Sequence, residues 1–481
     1  MIRTLLSLYS FKLPFYYVYM MQQVEYEPKK FIEWFERLFK KKQRIQSTTY
    51  RKSLVYTRKA KLLLIALYLF VAILFGLIAI LFRENFILVI INWLVLVIAI
   101  PFMLELFIVG VVTLAYEIFV KPAKKKTIKL SQSIFSKIKA KKIAVIGSYG
   151  KTTMKELLHT VLSEGLSVAS TPGNMNVAIS HARFAKKLSG TEDVVIVEFG
   201  EGEPGDVLQM SKTIRPDYAV ITGLAPNHLD HYSDIASIAK DIFSVYDVVG
   251  QETVTVTVTD ESTMLQEYIP KNSNRFSRKA VMGWKISSIE VSFSGIEFIM
   301  KKSKQTMHIK SGLLGAHQVA PIAYVAALAH ELGLTIKQIE TGCSKTKAFD
   351  HRMQPRNLHG AWIIDDTYNG NLEGLKAGLK LLEELPGSRK WYVTPGLVDQ
   401  GNETFRVHNE LGKYIAEVNP DKVVLIQNSV TQTIIESMNE NNFSGELLIE
   451  ENPLEFYTNI DQILANGDVV LMQNDWTDNY N

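Results

Sequence analysis

Cysteine is almost absent from this 481-residue chain, which contains only Cys343. One thiol cannot form an intramolecular disulfide or build a metal site from several cysteine ligands. An excess of charge is also missing, because 53 Lys and Arg are balanced by 49 Asp and Glu, for a net charge of +4. This small surplus gives no reason to predict nucleic-acid binding. There is no internal repeat, and no small-residue cleavage site follows the apolar first 20 residues, so neither a repeat protein nor a signal peptide is predicted.

Two long apolar stretches stand in the first quarter of the chain. Residues 62–82 carry no charge, and these 21 residues would span ~31 Å as a helix, enough for the hydrocarbon core of a membrane. Residues 86–120 contain only Glu105 and Glu117 as charged residues, and Pro101 predicts a kink. Lysine and arginine clusters flank the pair on both sides. The positive-inside rule therefore predicts two crossings with both ends in the cytoplasm.

An aromatic stripe precedes these stretches, formed at helical spacing by Phe31, Trp34, Phe35, Leu38 and Phe39 among basic residues. Such a basic amphipathic helix is typical of segments that lie on an anionic membrane surface. A helix packed on its own protein would show the same pattern. Both interpretations stay open at the level of sequence.

A glycine-rich segment begins after a β-branched run, Ile143–Ile146, that predicts a buried strand. The helical pattern that follows places the loop at a helix N-terminus, where backbone N–H groups and the helix dipole attract an anion. Lys151 adds a cation for phosphates, and the Thr152 hydroxyl can ligate Mg²⁺. The strict phosphate-loop pattern would need glycine in place of Val145. The predicted nucleotide-binding residues of this loop are Gly147, Ser148, Tyr149, Gly150, Lys151, Thr152 and Thr153.

Strands and helices alternate after this loop, which predicts an α/β fold. Buried-strand runs at 194–197 and 218–221 end just before Glu198 and Thr222, where open α/β sheets bind ligands. Alternating patterns at 253–258 and 289–293 suggest antiparallel strands, and a second α/β unit starts near Trp362. The predicted organisation is a basic amphipathic region at 1–60, a transmembrane hairpin at 61–120, a basic linker at 121–141, a central ATP-binding domain at 142–345 and a C-terminal domain at 346–481.

Six segments, in order, resemble motifs of the Mur ligase superfamily, ATP-dependent amide ligases of peptidoglycan precursor synthesis. They are 147–153, 171–176, 198–205, 222–230, the pair 350–352 and 365–369, and His408 after 399–401. The similarity is greatest to the branch that joins D-alanyl-D-alanine to UDP-N-acetylmuramoyl-tripeptide. It implies a P-loop, Mur-ligase-like central ATPase domain followed by a Rossmann-like α/β domain.

The resemblance also implies roles for single residues, with ATP and Mg²⁺ as cofactors. Glu198 and His228 would bind Mg²⁺ together with Thr152, and Lys240 would be a carbamylated lysine that supports the metal. Lys151, His228 and Lys240 would form the catalytic set. The other implied nucleotide contacts are Asn174, Gln318, Arg352 and Asp366.

Three departures from the family pattern concern substrates. The adenine-reading asparagines appear here as Gln318 and Pro321, and a late Lys-Gly-Ser segment appears as Gln473-Asn474-Asp475. The apolar pair stands where the family carries its UDP-sugar domain. The resemblance predicts an ATP-dependent amide ligase of the D-alanyl-D-alanine-adding type, which activates a carboxylate as an acyl phosphate. It would join a small-molecule or lipid-linked cell-wall precursor to an amino acid or dipeptide, and the apolar pair predicts that it is bound to a membrane. A ligase for a poly-amino acid, and a membrane-tethered ATPase or nucleotide switch that makes no bond, are the alternatives.

Overall fold

The computed structural model describes residues 12–40, 54–173, 175–226, 231–247, 255–271, 273–368, 370–397, 400 and 403–474, without the side chains of 37–40. The chain forms two compact units, Met1–Lys126 and Thr127–Asn481.

The first unit is helical. Its helices are α1 (Leu13–Gln23), α2 (Pro28–Lys40), α3 (Arg58–Leu81) and α4 (Phe86–Ala115), followed by a π-helical turn, Tyr116–Val120. Thr57 caps α3 and Asn85 caps α4, so a short polar turn separates the two apolar helices. Both apolar helices are long and apolar enough to cross a membrane, by length and composition alone.

The aromatic stripe of α2 packs inside this helical unit. Phe31 and Phe35 are buried, and both rings meet Tyr17 of α1 edge to face at 5.6 and 5.9 Å. The Phe35 ring also contacts Phe102 of α4. These two side chains therefore pack on the protein itself and do not lie on a membrane surface, because rings buried against neighbouring helices cannot insert into lipid.

The helix that contains the second apolar stretch runs much further than predicted. It continues through the π-helical turn into α5 (Lys121–Phe135), the segment for which a linker was predicted. The end of α5 belongs to the second unit, where Ser131 and Phe135 are buried and Phe135 joins the core beside the first strand. A basic segment can therefore be helical when its few apolar residues share one face.

In the described part of the second unit, the strands form two sheets. The first has the order β10-β9-β8-β7-β6-β5-β4-β1-β3-β2 among the described residues. Its strands are β1 (Lys141–Ile146), β2 (Val168–Ser170), β3 (Val194–Glu198), β4 (Tyr218–Ile221), β5 (Thr255–Thr259), β6 (Asn274–Phe276), β7 (Ala280–Val281), β8 (Trp284–Ser292), β9 (Gly295–Lys302) and β10 (Gln305–Ser311). Neighbouring strands are parallel along the part β2-β3-β1-β4-β5-β6 of this order. They are antiparallel along the part β6-β7-β8-β9-β10.

The prediction of an antiparallel strand at 253–258 is wrong. Of this range, residues 255–258 are described, and they form β5, which is parallel to both β4 and β6. Threonine and valine alternate here, yet Thr257 and Thr259 are as buried as the valines. A β-branched threonine fits a strand covered on both faces, so the alternation did not mark a solvent-facing side. The prediction for 289–293 is confirmed for β8, which pairs antiparallel with β9.

Helices cover both faces of the first sheet. They are α6 (Lys151–Leu162), α7 (Ala178–Ala185), α8 (Asp206–Ile214), α9 (Ile235–Phe243), α10 (Val319–Glu331) and α11 (Ile336–Ser344). Helices α6, α10 and α11 pack on one face, and α8 and α9 belong to the core on the other face.

The second sheet has the order β11-β12-β16-β13-β14-β15. Its elements are β11 (Gln354–Leu358), β12 (Ala361–Asp366), α12 (Leu372–Glu384), β13 (Arg389–Thr394), α13 (Thr404–Val418), β14 (Lys422–Ile426), α14 (Thr431–Glu440), β15 (Glu446–Glu450), α15 (Pro453–Ile463) and β16 (Asp468–Gln473). All strand pairs are parallel except β11–β12. The predicted α/β class is confirmed for both sheets.

A hairpin tip links the two sheets. Phe293, between β8 and β9, stacks on Trp362 of β12 with ring centroids 4.4 Å apart and planes at 3°. The β8–β9 tip thus contributes to the core of the C-terminal sheet. This contact joins the two sheets of the second unit, so it helps fix the position of one sheet relative to the other.

Candidate active site

A cavity of about 640 Å³ lies where loops of the two sheets meet. The phosphate loop, the end of β3 and the start of α10 line one side, and residues around β12 and α12 line the other. The structure brings the following predicted residues to its wall: Ser148, Tyr149, Gly150, Lys151, Thr152, Thr153, Glu198, Gln318, Arg352 and Asp366.

Glycine is required at the turn of the phosphate loop. Gly147 has a φ of +137°, and a Cβ there would lie 2.5 Å from Thr222 Oγ1. Gly150, with a φ of +73°, is the N-cap of α6. The backbone of Ser148 donates to the carbonyl of Gly223 at 2.9 Å. The loop is thereby fixed against the end of β4, with the positive end of α6 open to an anion.

The Tyr149 ring covers Gly223. A Cβ at Gly223 would lie 2.2 Å from the ring, so only glycine leaves room for it. Burial raises the pKa of the Tyr149 hydroxyl to about 12, which keeps this group neutral at physiological pH. The phosphate loop thus includes a large aromatic side chain that packs on the backbone at Gly223 and lines the cavity.

Lys151 is held in an ion pair. Its Nζ donates to Glu201 Oε2 at 2.8 Å and also to the carbonyl oxygen of Gly147. Glu201 is only 2% exposed and lines the cavity. No role for Glu201 is predicted from the sequence, although its place three residues after Glu198 at a strand end is a usable signal.

Thr152 and Glu198 offer oxygen ligands side by side. Thr152 Oγ1 lies 3.3 Å from Glu198 Oε1, and Glu198 Oε2 is buried with no hydrogen-bond donor. The nearest cation is Lys155, which is fully buried with its Nζ 3.5 Å from Glu198 Oε2. Mg²⁺ is usually held by one or two protein oxygens together with phosphate oxygens and water, so this pair fits it. No cluster of three or more His, Cys, Asp or Glu suited to a metal occurs among the described residues.

Three further groups hold Glu198 in place. Its backbone N–H donates to Thr171 Oγ1 at 3.1 Å, and its carbonyl accepts from His181 Nε2 at 2.8 Å. Burial lowers the pKa of His181 to about 4, so the ring is neutral. Lys155 also donates to the carbonyl of Gly173, which ties the loop after β2 to the same carboxylate. Sequence reasoning missed His181 and Lys155, since both lie inside helices that carry no motif at those positions.

The far end of the cavity contains Gln318. Its Nε2 lies 3.0 Å from His317 Nε2, and burial lowers the pKa of His317 to about 4. An amide nitrogen cannot accept a hydrogen bond, so the neutral His317 Nε2 is the acceptor. Gln318 Oε1 therefore remains as the acceptor for a ligand. Pro321 and the ion pair of Arg278 with Glu261 (2.9 Å) line the same region.

The opposite wall carries Arg352 and Asp366. The Arg352 guanidinium lies 4.1 Å from the centre of the Tyr368 ring, a cation–π contact that holds a positive charge at the cavity. Asp366 accepts from the Met353 N–H at 3.2 Å and from Gln473 Nε2 at 2.8 Å. Burial raises the pKa of the Asp366 carboxyl to about 6.

Other predicted site residues lie elsewhere. Lys240 is exposed on the last turn of α9, between the buried Ala239 and Asp241, and it does not line the cavity. His408 is buried, where its Nδ1 donates to the Thr404 carbonyl and its Nε2 accepts from the Leu397 N–H, so it supports a loop of the C-terminal sheet. Asn174 and His228 lie outside the described residues.

Two family models match the second unit of the chain. Residues 145–329 match the Mur ligase middle domain, and residues 351–473 match the Mur ligase glutamate ligase domain. Together they cover most of the residues that line the cavity.

Curated relatives carry the name UDP-N-acetylmuramoyl-tripeptide–D-alanyl-D-alanine ligase. The one from Escherichia coli is 26% identical over 302 residues, which are 62% of this chain and 67% of the relative. The one from Bacillus subtilis is 25% identical over 296 residues, 61% of this chain and 64% of the relative. The chain therefore spans about two thirds of the length of these relatives.

Solved structures share the fold. MurF from Acinetobacter baumannii has a TM-score of 0.64 and 21% identity, with 73% of this chain and 77% of that chain covered. MurF from Thermotoga maritima in complex with ADP has a TM-score of 0.64 and 22% identity, with 73% and 80% covered.

Proposed function

The chain belongs to the Mur ligase family, and we propose that it is an ATP-dependent ligase that forms an amide between a carboxylate and the amine of an amino acid or dipeptide. One observation carries this proposal: a single cavity is lined by a phosphate loop, by Asp366 of a second sheet and by Arg352 just before that sheet. A ligase needs such an arrangement, because nucleotide and acceptor must meet. A simple nucleotide switch needs no second sheet facing its phosphate loop.

The proposed reaction has two steps. An oxygen of the substrate carboxylate attacks the γ-phosphorus of ATP, the bond to ADP breaks, and an acyl phosphate forms. The amine nitrogen then attacks the acyl carbon, phosphate leaves, and the nitrogen loses a proton. Both steps place negative charge near the phosphate loop, where the N–H groups of α6 and the Lys151 cation stabilise it.

Divalent metal fits this site. Thr152 and Glu198 would hold Mg²⁺, which would supply charge neutralisation at the phosphate oxygens. Thr171, His181 and Lys155 keep Glu198 oriented toward Thr152 before any ligand arrives. On the opposite wall, Arg352 offers a second cation to the phosphoryl group or to the substrate carboxylate.

The names of the relatives suggest the substrates. We propose a peptidoglycan precursor that ends in a carboxylate, with D-alanyl-D-alanine as the amine. A poly-amino acid is the second candidate, because Gln473 and Asn474 leave the family's usual substrate contact without its cation. Their uncharged amides stand where the resemblance predicts Lys-Gly, and Gln473 bonds to Asp366 of the cavity wall.

The proposal is tested by ADP release from the purified full-length protein. We expect release only when ATP, a carboxylate and an amine are all present, with UDP-N-acetylmuramoyl-tripeptide and D-alanyl-D-alanine as the best pair. A panel of other acids and amino acids tests the second candidate. ADP release that needs neither an acid nor an amine would identify an ATPase or switch and contradict the ligase.

We also propose that α3 and α4 cross a membrane, with both flanks in the cytoplasm. Their apolar side chains are largely exposed in the first unit, and Lys and Arg stand before α3 and after α4. Protease added outside intact cells should then leave the chain beyond Lys121 uncut, while the same protease should cut it in opened cells. Cleavage beyond Lys121 in intact cells would contradict two crossings.

A further inference from the structure

The ion pair of Lys151 with Glu201 raises a question about nucleotide binding. The lysine belongs to the phosphate loop, yet its Nζ is 2.8 Å from a carboxylate oxygen that is almost fully buried. A polyphosphate that binds to this loop must share or take the Lys151 cation. Glu201 would then lose its cationic partner while it still lines the same cavity.

The surroundings of Glu201 make an unpaired carboxylate unfavourable. Burial is the main reason that the pKa values of Asp241 and Tyr232 in the neighbouring segment are raised, and the negative charge of Glu201 raises both further. The buried cation nearby, Lys155, is already within 3.5 Å of Glu198 and 3.2 Å of Glu156. A buried charge that loses its partner needs a replacement of opposite sign.

A divalent cation that arrives with the nucleotide would be that replacement. Lys151 and Thr152 are consecutive residues at the start of α6, so Glu201 and the Thr152–Glu198 oxygen pair belong to the same end of the cavity. A carboxylate is a ligand that Mg²⁺ prefers, either directly or through water.

We propose that Glu201 is a residue of the nucleotide–metal site, which pairs with Lys151 in the nucleotide-free protein and turns to the divalent cation when a polyphosphate takes Lys151. This inference rests on the proposed function, because it assumes that the loop binds a nucleotide. Its consequence is that Glu201 opposes nucleotide binding when metal is absent and favours it when metal is present. Metal and nucleotide would thus be thermodynamically coupled through one side chain.

The test measures the affinity of the full-length protein for ADP, once in EDTA and once in saturating Mg²⁺, by displacement of a fluorescent ADP analogue. Glu201→Gln keeps the size of the side chain and removes its charge. We expect this variant to bind ADP about 10-fold more tightly than wild type in EDTA, and to gain correspondingly less from Mg²⁺. Glu201→Ala removes the same charge without introducing an amide, and it should show the same change in ADP affinity. It replaces the glutamine variant if that variant folds poorly.

Glu203→Gln is the matched control. Glu203 is two residues away, but it is exposed and paired with His231 at 2.8 Å, so its variant should bind ADP as wild type does in both conditions. Equal affinity of wild type and Glu201→Gln in EDTA would overturn the inference. So would weaker binding of the variant in both conditions, which would mean that Glu201 only positions Lys151. A wild-type protein that binds no ADP at all would instead overturn the proposed function, and the inference with it.

Discussion

Gln473 donates a hydrogen bond of 2.8 Å to the carboxylate of Asp366, which joins the ends of two neighbouring parallel strands at the cavity wall. The pair lies where the family pattern predicts a lysine, so an uncharged amide replaces a cation beside a buried acid. The hydrogen bond lowers the pKa of Asp366, but burial outweighs it and raises the pKa to about 6. The acid is therefore easier to protonate than an exposed one.

This shift predicts a pH-dependent stability. Between about pH 4 and 6 the folded state binds a proton at Asp366 that the unfolded state releases, so this contribution to stability is lost as pH rises through about 6. Wild type should lose about 1 kcal/mol of unfolding free energy between pH 5 and pH 8 through this group, and Asp366→Asn should not lose it. Thermal unfolding at both pH values measures it. Gln473→Leu removes the hydrogen bond, so it should lose more stability than wild type between the two pH values. The same loss of stability in wild type and in both variants would refute the assignment to Asp366.

Lys151 should be essential for turnover. Lys151→Ala removes the cation that the phosphate loop offers to the transferred phosphoryl group, and we expect kcat to fall by about 10²-fold or more. Steady-state ADP release measures this loss. Lys186→Ala, an exposed lysine outside the cavity, is the control and should keep wild-type rates. Near-normal turnover of Lys151→Ala would remove the basis for the phosphate-loop assignment.

Gln318 should select the base of the nucleotide. Its Oε1 is left to accept a hydrogen bond, which the 6-amino group of ATP can donate and the 6-oxo group of ITP cannot. We expect kcat/KM to favour ATP over ITP by about 3- to 10-fold, the worth of one hydrogen bond. His317→Leu frees the amide to rotate and should bring this ratio toward one. The exposed His359→Leu should leave it unchanged; the same ratio in His317→Leu as in wild type would show that His317 does not orient the amide.

Lys240 is one of the described site residues from the sequence prediction that do not line the cavity. The resemblance predicts a carbamate on its Nζ, and an exposed amine is accessible to the dissolved CO₂ that forms one. If that role is correct, Lys240→Ala should lose activity that added bicarbonate does not restore, while ADP affinity in EDTA stays at the wild-type value. Wild-type turnover of Lys240→Ala would show that the site functions without this lysine.

The end of α5 should be part of the folded catalytic unit. A protein that starts at Thr127 keeps the buried Ser131 and Phe135, and we expect it to be soluble and to bind ADP like the full chain. A protein that starts at Lys141 loses both and should unfold at a lower temperature. Phe135→Ala in the longer protein should cost about 3 kcal/mol, because it leaves a cavity in the core. Equal melting temperatures of the two truncated proteins would contradict this role of α5.

Local patterns were enough to predict the phosphate loop. A β-branched run, glycines that require left-handed backbone and a helical pattern all act within a dozen residues, and β1, Gly147, Gly150 and α6 form as expected. Strand β4 occupies the predicted range as well. Thr152 and Glu198, which are predicted to share a metal, lie with their side-chain oxygens 3.3 Å apart. This closeness follows from the sheet, since strand ends in a parallel sheet meet at one edge.

Such local patterns do not predict contacts between segments that are distant in the sequence. The Lys151–Glu201 pair joins residues 50 positions apart, and it exists because β1 and β3 are neighbours in the sheet. Lys155 shows no motif at all, and its charge would ordinarily predict an exposed helix position. The pairing of β5 was mispredicted for a related reason: the number of covered faces is decided by helices far away in the chain.

The contact between Tyr149 and Gly223 has a consequence for how these positions can change in evolution. A Cβ at position 223 would lie 2.2 Å from the ring, so a substitution there displaces the ring unless a smaller residue already stands at position 149. The reverse order is free, because glycine tolerates an empty space beside it. Among descendants of this protein, the two positions should therefore vary together and in one order, with the loop changing first and the end of β4 following.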